Sequence, residues 1–242
     1  MMTMPAPARS APGRRRLLRA LLGTPLGGVM ARGIARAARP AAIGVLAIAA
    51  RPATVAAAPE APDALIRRLS ADVLDRIRAD KDIQAGDFRK LSDFVDTVVM
   101  PHVNFQRMTA LAVGRNWRNA TPEQQKQLMA EFRVLLLRTY SGALGSVKDQ
   151  SVRMKPLRAD PADTEVIVRS EVVVPRGEPV QLDYRLEKAG DSWRIYDVNV
   201  LGVWLVETYR SQFAQEVATR GIDGLIRSLA DKNRSFEQPR KS

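Results

Sequence analysis

Apolar residues recur at helical spacing in the first part of the chain that follows residue 60. The first such pattern covers 62–80, where four apolar residues share one face: Leu65, Leu69, Val73 and Ile77. This spacing predicts an amphipathic helix. Asp87 is placed to cap a second helix, which we expect Pro101 to end. A short third helix is expected over about 104–113.

The clearest helix start lies at Thr121. Thr121 is a suitable N-cap, Pro122 occupies the first helical position and Gln124 completes a capping box. The helix is expected to continue to about residue 144 with a wide apolar side. It is the longest helix that the pattern predicts.

After residue 150 the pattern changes to a period of two, which is typical of β-strands. Four strands are predicted, over 150–157, 165–174, 180–187 and 192–200. The last is apolar on both faces, as a central or bulged strand would be. Its pattern assigns Trp193 and Ile195 to one face and Tyr196, Val198 and Val200 to the other.

Helical spacing returns at 203–220. Gly202 directly precedes this segment and Gly221 directly follows it, as expected for residues that interrupt regular structure. A last short helix is expected from near Asp223, followed by a polar tail over 232–242. Helices, then an antiparallel meander, then helices predict an α+β fold. We expect one domain, over 59–231, with helices packed on one face of a curved antiparallel sheet of about four strands that encloses a hydrophobic cavity.

The first 58 residues contain nine arginines and no acidic residue. An apolar run over 40–50 follows this basic leader, and a small-residue site ends at Ala58. This order is typical of a secretory signal peptide, cleaved near Ala57 or Ala58. Arg51 interrupts an apolar run that is too short for a membrane span. Residues 1–29 are interpreted as a possible extension upstream of a start at Met30. The expected location is the periplasm.

Removing the leader changes the charge balance. The whole chain carries a net charge of +12, from 38 basic and 26 acidic residues. Without the nine leader arginines, 29 basic residues face 26 acidic ones. A nucleic-acid-binding domain keeps a basic surface after folding. The composition therefore argues against nucleic acid as a partner.

The sequence has few residues suited to catalysis. It contains one histidine, His102, and no cysteine, so a zinc site or a histidine-based triad has few residues available to build it. Asp183 and Asp197 could form an acid–base pair, but Asp183 is expected on the polar face of its strand as a solvated charge. We predict no enzyme activity, no metal and no cofactor.

Several stretches in order carry a resemblance to a known family. They include VGRNWRNAT at 113–121, EQQ at 123–125, WRIYDV at 193–198 and GID at 221–223. On these stretches the chain resembles the toluene-tolerance, or MlaC, family of periplasmic phospholipid-binding proteins, over about 63–231. It departs from the family at Asn104, where we expect Asp, and at Trp204, where many members carry Ser.

The resemblance implies a soluble phospholipid carrier, expected to be a monomer. Its partners would be an outer-membrane lipoprotein complex and the lipid-binding subunit of an inner-membrane ABC transporter. Twelve side chains are expected to line the lipid site: Phe132, Leu136, Tyr140, Val168, Val172, Tyr184, Leu186, Val198, Val200, Trp204, Leu205 and Tyr209. Each is equally compatible with an ordinary packed core.

Three arginines are expected near the mouth of such a site, where they would meet anionic headgroups or acidic partners: Arg115, Arg118 and Arg210. The alternative for each is a solvated or locally paired side chain.

The second candidate function is the binding component of an ABC importer for a small apolar solute. An enzyme on a similar fold is the third. Co-purified lipid would discriminate among the three.

Overall fold

The computed structural model describes residues 60–175 and 177–237. The predictions for the leader, 1–58, and for the end of the tail, 238–242, lie outside the described residues. The chain forms helices and strands in the order α1 Pro62–Ala79, α2 Lys81–Gln84, α3 Phe88–Phe94, α4 Phe105–Val113, α5 Pro122–Gly145, β1 Ser151–Met154, β2 Glu165–Val173, β3 Val180–Ala189, β4 Ser192–Val200, β5 Val203–Trp204 and α6 Leu205–Ser235. This is the predicted α+β class.

Side-chain caps set the helix starts where the sequence predicts them. The capping box of α5 is complete, since the Gln124 backbone N–H donates to Thr121 Oγ1 at 3.2 Å and the Thr121 N–H donates to Gln124 Oε1 at 3.0 Å. Asp87 caps α3 and Asn104 caps α4 in the same way, each at 3.0 Å. These bonds satisfy N–H groups that have no partner inside the helix.

The α-helix that was expected to end at Pro101 ends earlier. The α-helix ends at Phe94, and a π-helical turn over Val95–Val99 leads into a 3₁₀ turn over Met100–His102. Val103 then forms a parallel bridge with Ile195 on β4. This bridge holds the start of α4 against the edge of the sheet.

The five strands form one antiparallel sheet in simple sequential order. About four strands were predicted. The additional strand is β5, whose two residues lie at the start of the segment 203–220 that the spacing assigned to a helix. It pairs with the end of β4 through Val200 and Val203. The backbone of Leu201 and Gly202 between them has positive φ angles, as a type I′ hairpin requires.

A bulge in β4 changes which side chains share a face. Arg185 pairs with Asp197 while Leu186 pairs with Ile195, so Tyr196 is the extra residue. The bulge places Ile195 and Val198 on the same face of the sheet. The prediction that these two lie on opposite faces was wrong, because strict alternation fails across one inserted residue.

The last helix is longer than predicted. Gly221 interrupts it with φ 69° and ψ −176°, so the expected break lies at the expected residue. Helical structure then continues to Ser235, past position 231 where a polar tail is predicted. Asn233 is buried, and its amide donates to the backbone carbonyl of Glu131 on α5. The folded part therefore includes residues 232–235.

Buried side chains form three apolar clusters, which we name by their elements. The α4–α5–α6 cluster is centred on Phe132 and Phe213. The α1–sheet cluster joins Leu65 and Ile66 to the sheet face that carries Leu186. The third lies among α1, α2, α3 and α5. Partly buried side chains of β3 and β4 lie where the first two clusters approach each other.

Candidate functional site

The centre of the apolar sheet face is a row of three neighbouring side chains. Val168 on β2 pairs with Tyr184 on β3, and Tyr184 pairs with Val198 on β4. Val168 is completely buried, whereas Tyr184 and Val198 keep accessible surface. Val198 packs against both the α4–α5–α6 cluster and the α1–sheet cluster. The row therefore crosses from a packed region into a more open one.

Tyr184 shows this change most clearly. Burial raises the pKa of its hydroxyl, and Asp183 adds to the increase, while the hydroxyls of Ser70 on α1 and Ser170 on β2 act in the opposite direction. Yet part of its side chain remains accessible. The accessible part of this side chain has space beside it, which we call the opening. We place the candidate ligand site beside Tyr184.

An aromatic group lies at the centre of the α4–α5–α6 cluster. The ring of Phe132 on α5 lies 4.9 Å from that of Tyr209 and 5.2 Å from that of Phe213, both on α6 and both edge-on. The ring of Phe105 on α4 lies 5.8 Å from Phe132. Edge-on contacts of this kind are favourable, so three helices are held together here by aromatic packing.

The Tyr209 hydroxyl is unusual within this group. It is buried, and its oxygen has no hydrogen-bond partner among the described residues. Burial raises the pKa of Tyr209 to about 12, and the neighbouring Tyr140 adds to the increase. Burial also raises the pKa of Tyr140. The cluster is thus apolar apart from neutral phenol groups.

The structure brings together most of the twelve predicted lining residues. Seven belong to the α4–α5–α6 cluster or pack against it: Phe132, Leu136, Tyr140, Val198, Val200, Leu205 and Tyr209. Val168 and Leu186 are fully buried in the α1–sheet cluster, and Tyr184 packs against that cluster. Val172 is partly buried near the other end of β2, where it pairs with Val152 and Val180.

Trp204 is separated from the other eleven. It pairs with Asn199, which puts it on the opposite face of the sheet. There its ring lies under the Arg185 guanidinium at 3.9 Å. Arg185 also forms an ion pair with Asp197 at 3.1 Å. The departure from the family at Trp204 is therefore accommodated outside the candidate site, by a cation–π contact.

The two aspartates considered for acid–base chemistry have different surroundings. Asp197 is completely buried, and burial raises the pKa of its carboxyl. Asp183 is also buried, which corrects the expectation of a solvated charge. It pairs across the sheet with Asn199 and accepts a hydrogen bond from Gln181 at 2.6 Å. The two carboxylates do not pair with each other.

A polar network that the sequence did not reveal joins α4 to the polar face of the sheet, opposite Tyr184 and Leu186. Arg107 forms ion pairs with Glu165 on β2, at 2.6 Å, and with Glu187 on β3. Its guanidinium lies 3.8 Å from the centre of the Tyr196 ring, and the Tyr196 hydroxyl donates to Glu165 at 2.9 Å. The Asn104 amide donates to Glu187. Only the tertiary structure brings these residues together.

The three predicted arginines are not all in one place. Arg115 and Arg210 line a cleft of about 350 Å³ between a second 3₁₀ turn, Gly114–Asn119, and the first half of α6. The Arg210 Nε–H donates to the Leu111 carbonyl at 3.0 Å. Arg118 is exposed and is not among the residues that line this cleft. The structure thus groups two of the three.

A larger cleft, of about 660 Å³, lies between α1 and α3. Its lining is charged with both signs, since Asp72, Arg76 and Asp93 contribute to it. The sequence did not point to it. Its mixed charge does not suit an acyl chain, so the candidate lipid site remains the apolar one beside Tyr184.

Membrane spans, metal sites and His102 were considered within residues 60–175 and 177–237. No helix in this part combines the length and apolarity that crossing a membrane requires. No group of three or more histidine, cysteine or acidic side chains in it is arranged to hold a metal ion. His102 lies in the 3₁₀ turn before α4 and is partly buried.

Comparison with known proteins gives a consistent result. The family model described as MlaC protein matches residues 67–231. The toluene tolerance protein ttg2D of Pseudomonas putida is 24% identical over 181 residues, which are 74% of this chain and 84% of that protein. The intermembrane phospholipid transport system binding protein MlaC of Haemophilus influenzae is 25% identical over 186 residues, which are 72% of this chain and 86% of that protein.

A solved structure is more similar still. It is the phospholipid-binding protein from Ralstonia solanacearum in complex with a phospholipid, at 44% identity and a TM-score of 0.71. The match covers 73% of this chain and 98% of that one. The likeness therefore includes nearly the whole of the solved protein.

Proposed function

Because the chain belongs to the MlaC family, we propose that it is a periplasmic phospholipid carrier. The acyl chains would bind between the helices and the apolar face of the sheet, beside Tyr184. The single observation that carries the proposal is the position of Tyr184, which packs against the α1–sheet cluster, keeps accessible surface and pairs with Val198, a side chain that contacts both apolar clusters. The phospholipid held by the 44% identical protein supports the same ligand class.

The chemistry of the proposed site suits this ligand. The predicted lining side chains are aliphatic and aromatic. Their tyrosines are neutral at physiological pH, as tyrosines ordinarily are, and burial raises the pKa of Tyr140, Tyr184 and Tyr209 further. Burying one methylene is worth about 0.8 kcal/mol. Two chains of roughly 16 carbons therefore offer more than about 20 kcal/mol before association and ordering costs are subtracted.

Such a gain makes spontaneous release into water slow, which is why a carrier has to unload by docking. A partner's apolar surface would replace water at the opening and lower the barrier to transfer. We propose that the partners are an outer-membrane lipoprotein complex and the lipid-binding subunit of an inner-membrane ABC transporter, and that the protein acts as a monomer. The leader over 1–58 would direct the chain to the periplasm and be removed.

Lipid content tests the proposal directly. The exported protein is purified without added lipid, extracted with organic solvent and analysed by mass spectrometry. We expect diacyl phospholipid at close to one molecule per chain. A small aromatic or apolar solute in its place would support the importer component instead. An extract without any bound molecule, from protein that also fails to take up phospholipid from vesicles, would contradict the carrier.

A further inference from the structure

The cleft between the Gly114–Asn119 turn and α6 holds two arginines without an acidic partner. Ten other arginines of residues 60–175 and 177–237 form ion pairs with acidic side chains. Arg115 and Arg210 form none, although every acidic side chain of the sequence lies within this part of the chain. Both are exposed, and both line the cleft. Their counter-ion therefore has to come from outside the chain.

The two arginines are placed around one space by separate elements. The Arg210 Nε–H donates to the Leu111 carbonyl of α4 at 3.0 Å, so its guanidinium is oriented while its terminal nitrogens remain available to an anion. Gly114 ends α4 with φ 67°, a conformation that is costly for other residues. Arg115 follows directly, in the turn that forms the other side of the cleft.

The remaining lining of the cleft is mostly apolar and small. It includes Val113, Ala214, Val217 and Ala218, and it contains no acidic residue. A phosphate accepts charge-assisted hydrogen bonds from arginines through its unesterified oxygens. If it is a phosphodiester, the carbon atoms attached to it also cover apolar side chains, which gives a gain that inorganic phosphate lacks. The lining therefore suits a phosphodiester.

The size and position of the cleft indicate the source of that group. A volume of about 350 Å³ lies at the lower end of the range for small-molecule sites, roughly 300–1,000 Å³. Stable protein docking uses an extended surface of about 800 Å² on each partner. No lining residue of the cleft belongs to the sheet, so the cleft is separate from the proposed acyl-chain site beside Tyr184. A headgroup bound here would belong to a second phospholipid.

We infer that the cleft binds the phosphodiester headgroup of an anionic phospholipid that stays in a membrane. This inference rests on the proposed carrier function and gives the carrier a direct contact with the membrane surface. Arg115 and Arg210 donate to the unesterified oxygens, and the apolar lining covers the glycerol carbons. Two arginines favour a lipid with net negative charge, such as phosphatidylglycerol, over zwitterionic phosphatidylcholine. The contact holds the carrier at the membrane while its cargo is exchanged.

Vesicle binding tests the inference. The exported protein, still carrying its co-purified lipid, is sedimented at low salt with vesicles made of equal parts of dioleoyl phosphatidylglycerol and dioleoyl phosphatidylcholine. Arg115→Gln removes one cleft charge, and Arg118→Gln, in the same turn but outside the lining, is its matched control. Ala218→Leu fills the cleft without changing the charge, and Thr219→Leu, exposed and outside the lining, is its matched control.

We expect Arg115→Gln and Ala218→Leu to bind about 5- to 20-fold more weakly than the wild type, and the two controls to stay within about 2-fold of it. Soluble glycerophosphoglycerol should release the wild type at lower concentrations than inorganic phosphate does, because only the former covers the apolar lining.

Cleft variants that bind as their controls do, or inorganic phosphate that releases the protein equally well, overturn the inference. A wild type that carries phospholipid but does not bind these vesicles also overturns it, leaves the carrier function standing and indicates an acidic protein partner at the cleft. A wild type without any bound phospholipid, which also takes up none from the vesicles, contradicts the carrier function itself.

Discussion

The carboxylate of Asp197 accepts the backbone N–H of Val206 at 3.0 Å, so a residue of β4 caps the first turn of α6. The same oxygen accepts the N–H of Val198 at 2.9 Å. Trp204, the residue at the N-cap position, makes no side-chain cap of its own. The sheet and the helix that carries Tyr209 are therefore joined through one buried side chain.

The role of Asp197 predicts a graded loss of stability. Asp197→Ala leaves two backbone N–H groups and the Arg185 charge without their partner, so we expect a loss of about 2–4 kcal/mol. Asp197→Asn keeps an oxygen that can accept from Val206, and should lose about 1–2 kcal/mol. Urea unfolding of the two variants measures the difference. An alanine variant within about 0.5 kcal/mol of the wild type would exclude a structural role for this cap.

The row across the sheet face predicts opposite results for two chemically identical substitutions. Val198→Phe adds bulk beside the opening, so it should reduce bound phospholipid while the apo protein keeps its stability. Val168→Phe adds the same bulk to a completely buried position, where overpacking costs about 1–3 kcal/mol. Lipid content and the apo melting temperature are measured for both. Equal destabilisation by the two would mean that Val198 is ordinary core.

Delipidated wild type is the reference for that comparison, because bound lipid itself raises the melting temperature. Leu186, next to Val168 in the α1–sheet cluster and completely buried, should respond to enlargement as Val168 does. A Leu186→Trp variant that loses lipid at an unchanged apo melting temperature would place the opening on that side of Tyr184 instead.

The ion pair between Arg107 and Glu165 predicts a pH effect. The hydrogen bond from Arg107 holds the pKa of Glu165 below its ordinary value of 4.5. The unfolded chain therefore binds this proton more readily than the folded one, so stability is present above pH 4.5 and is lost as the pH falls through the depressed pKa. Because Glu165 is about half exposed, the effect should be small.

Glu165→Gln should weaken this acid dependence. We expect its unfolding free energy to fall less steeply than that of the wild type between about pH 5 and about pH 3. Glu178→Gln, in the exposed turn between β2 and β3, is the matched control and should follow the wild type. Parallel curves for the wild type and Glu165→Gln would show that the Arg107 contact does not contribute.

The cleft between the Gly114–Asn119 turn and α6 predicts a difference between two nearby arginines. Arg115→Glu reverses a charge beside Arg210, so transfer of anionic phosphatidylglycerol to acceptor vesicles should slow by about 3- to 10-fold at low salt. Arg118→Glu makes the same change outside the cleft and should have a smaller effect. Equal slowing by the two would indicate a general effect of net charge, without a specific site.

The order and boundaries of most elements could be predicted because they depend on neighbours in sequence. Thr121, Pro122 and Gln124 specify a helix start through contacts within one turn. The period-two alternation of β2 and β3 specifies strands in the same way. The bulge at Tyr196 and the two-residue β5 could not be located, because each depends on how β4 pairs with its partners.

The candidate site was predicted in outline and not in detail. Apolar periodicity identifies residues that face inward, but it is the same for a packed wall and for one that borders an opening. Val168 and Val198 illustrate this limit, since both are inward-facing valines and only their tertiary neighbours distinguish them. Trp204 was assigned to the site by its apolar character, and its pairing with Asn199 put it on the other face.

The sequence by itself determined the α+β class, the helix starts and the family, because caps, turn residues and hydrophobic periods act over a few residues and the matching stretches are continuous. The tertiary structure alone decided that Tyr184 keeps accessible surface while Val168 is buried, that Asp197 caps α6 and that Trp204 lies on the other face of the sheet. These properties depend on atoms that are far apart along the chain, and their separation is set only when the helices pack on the sheet.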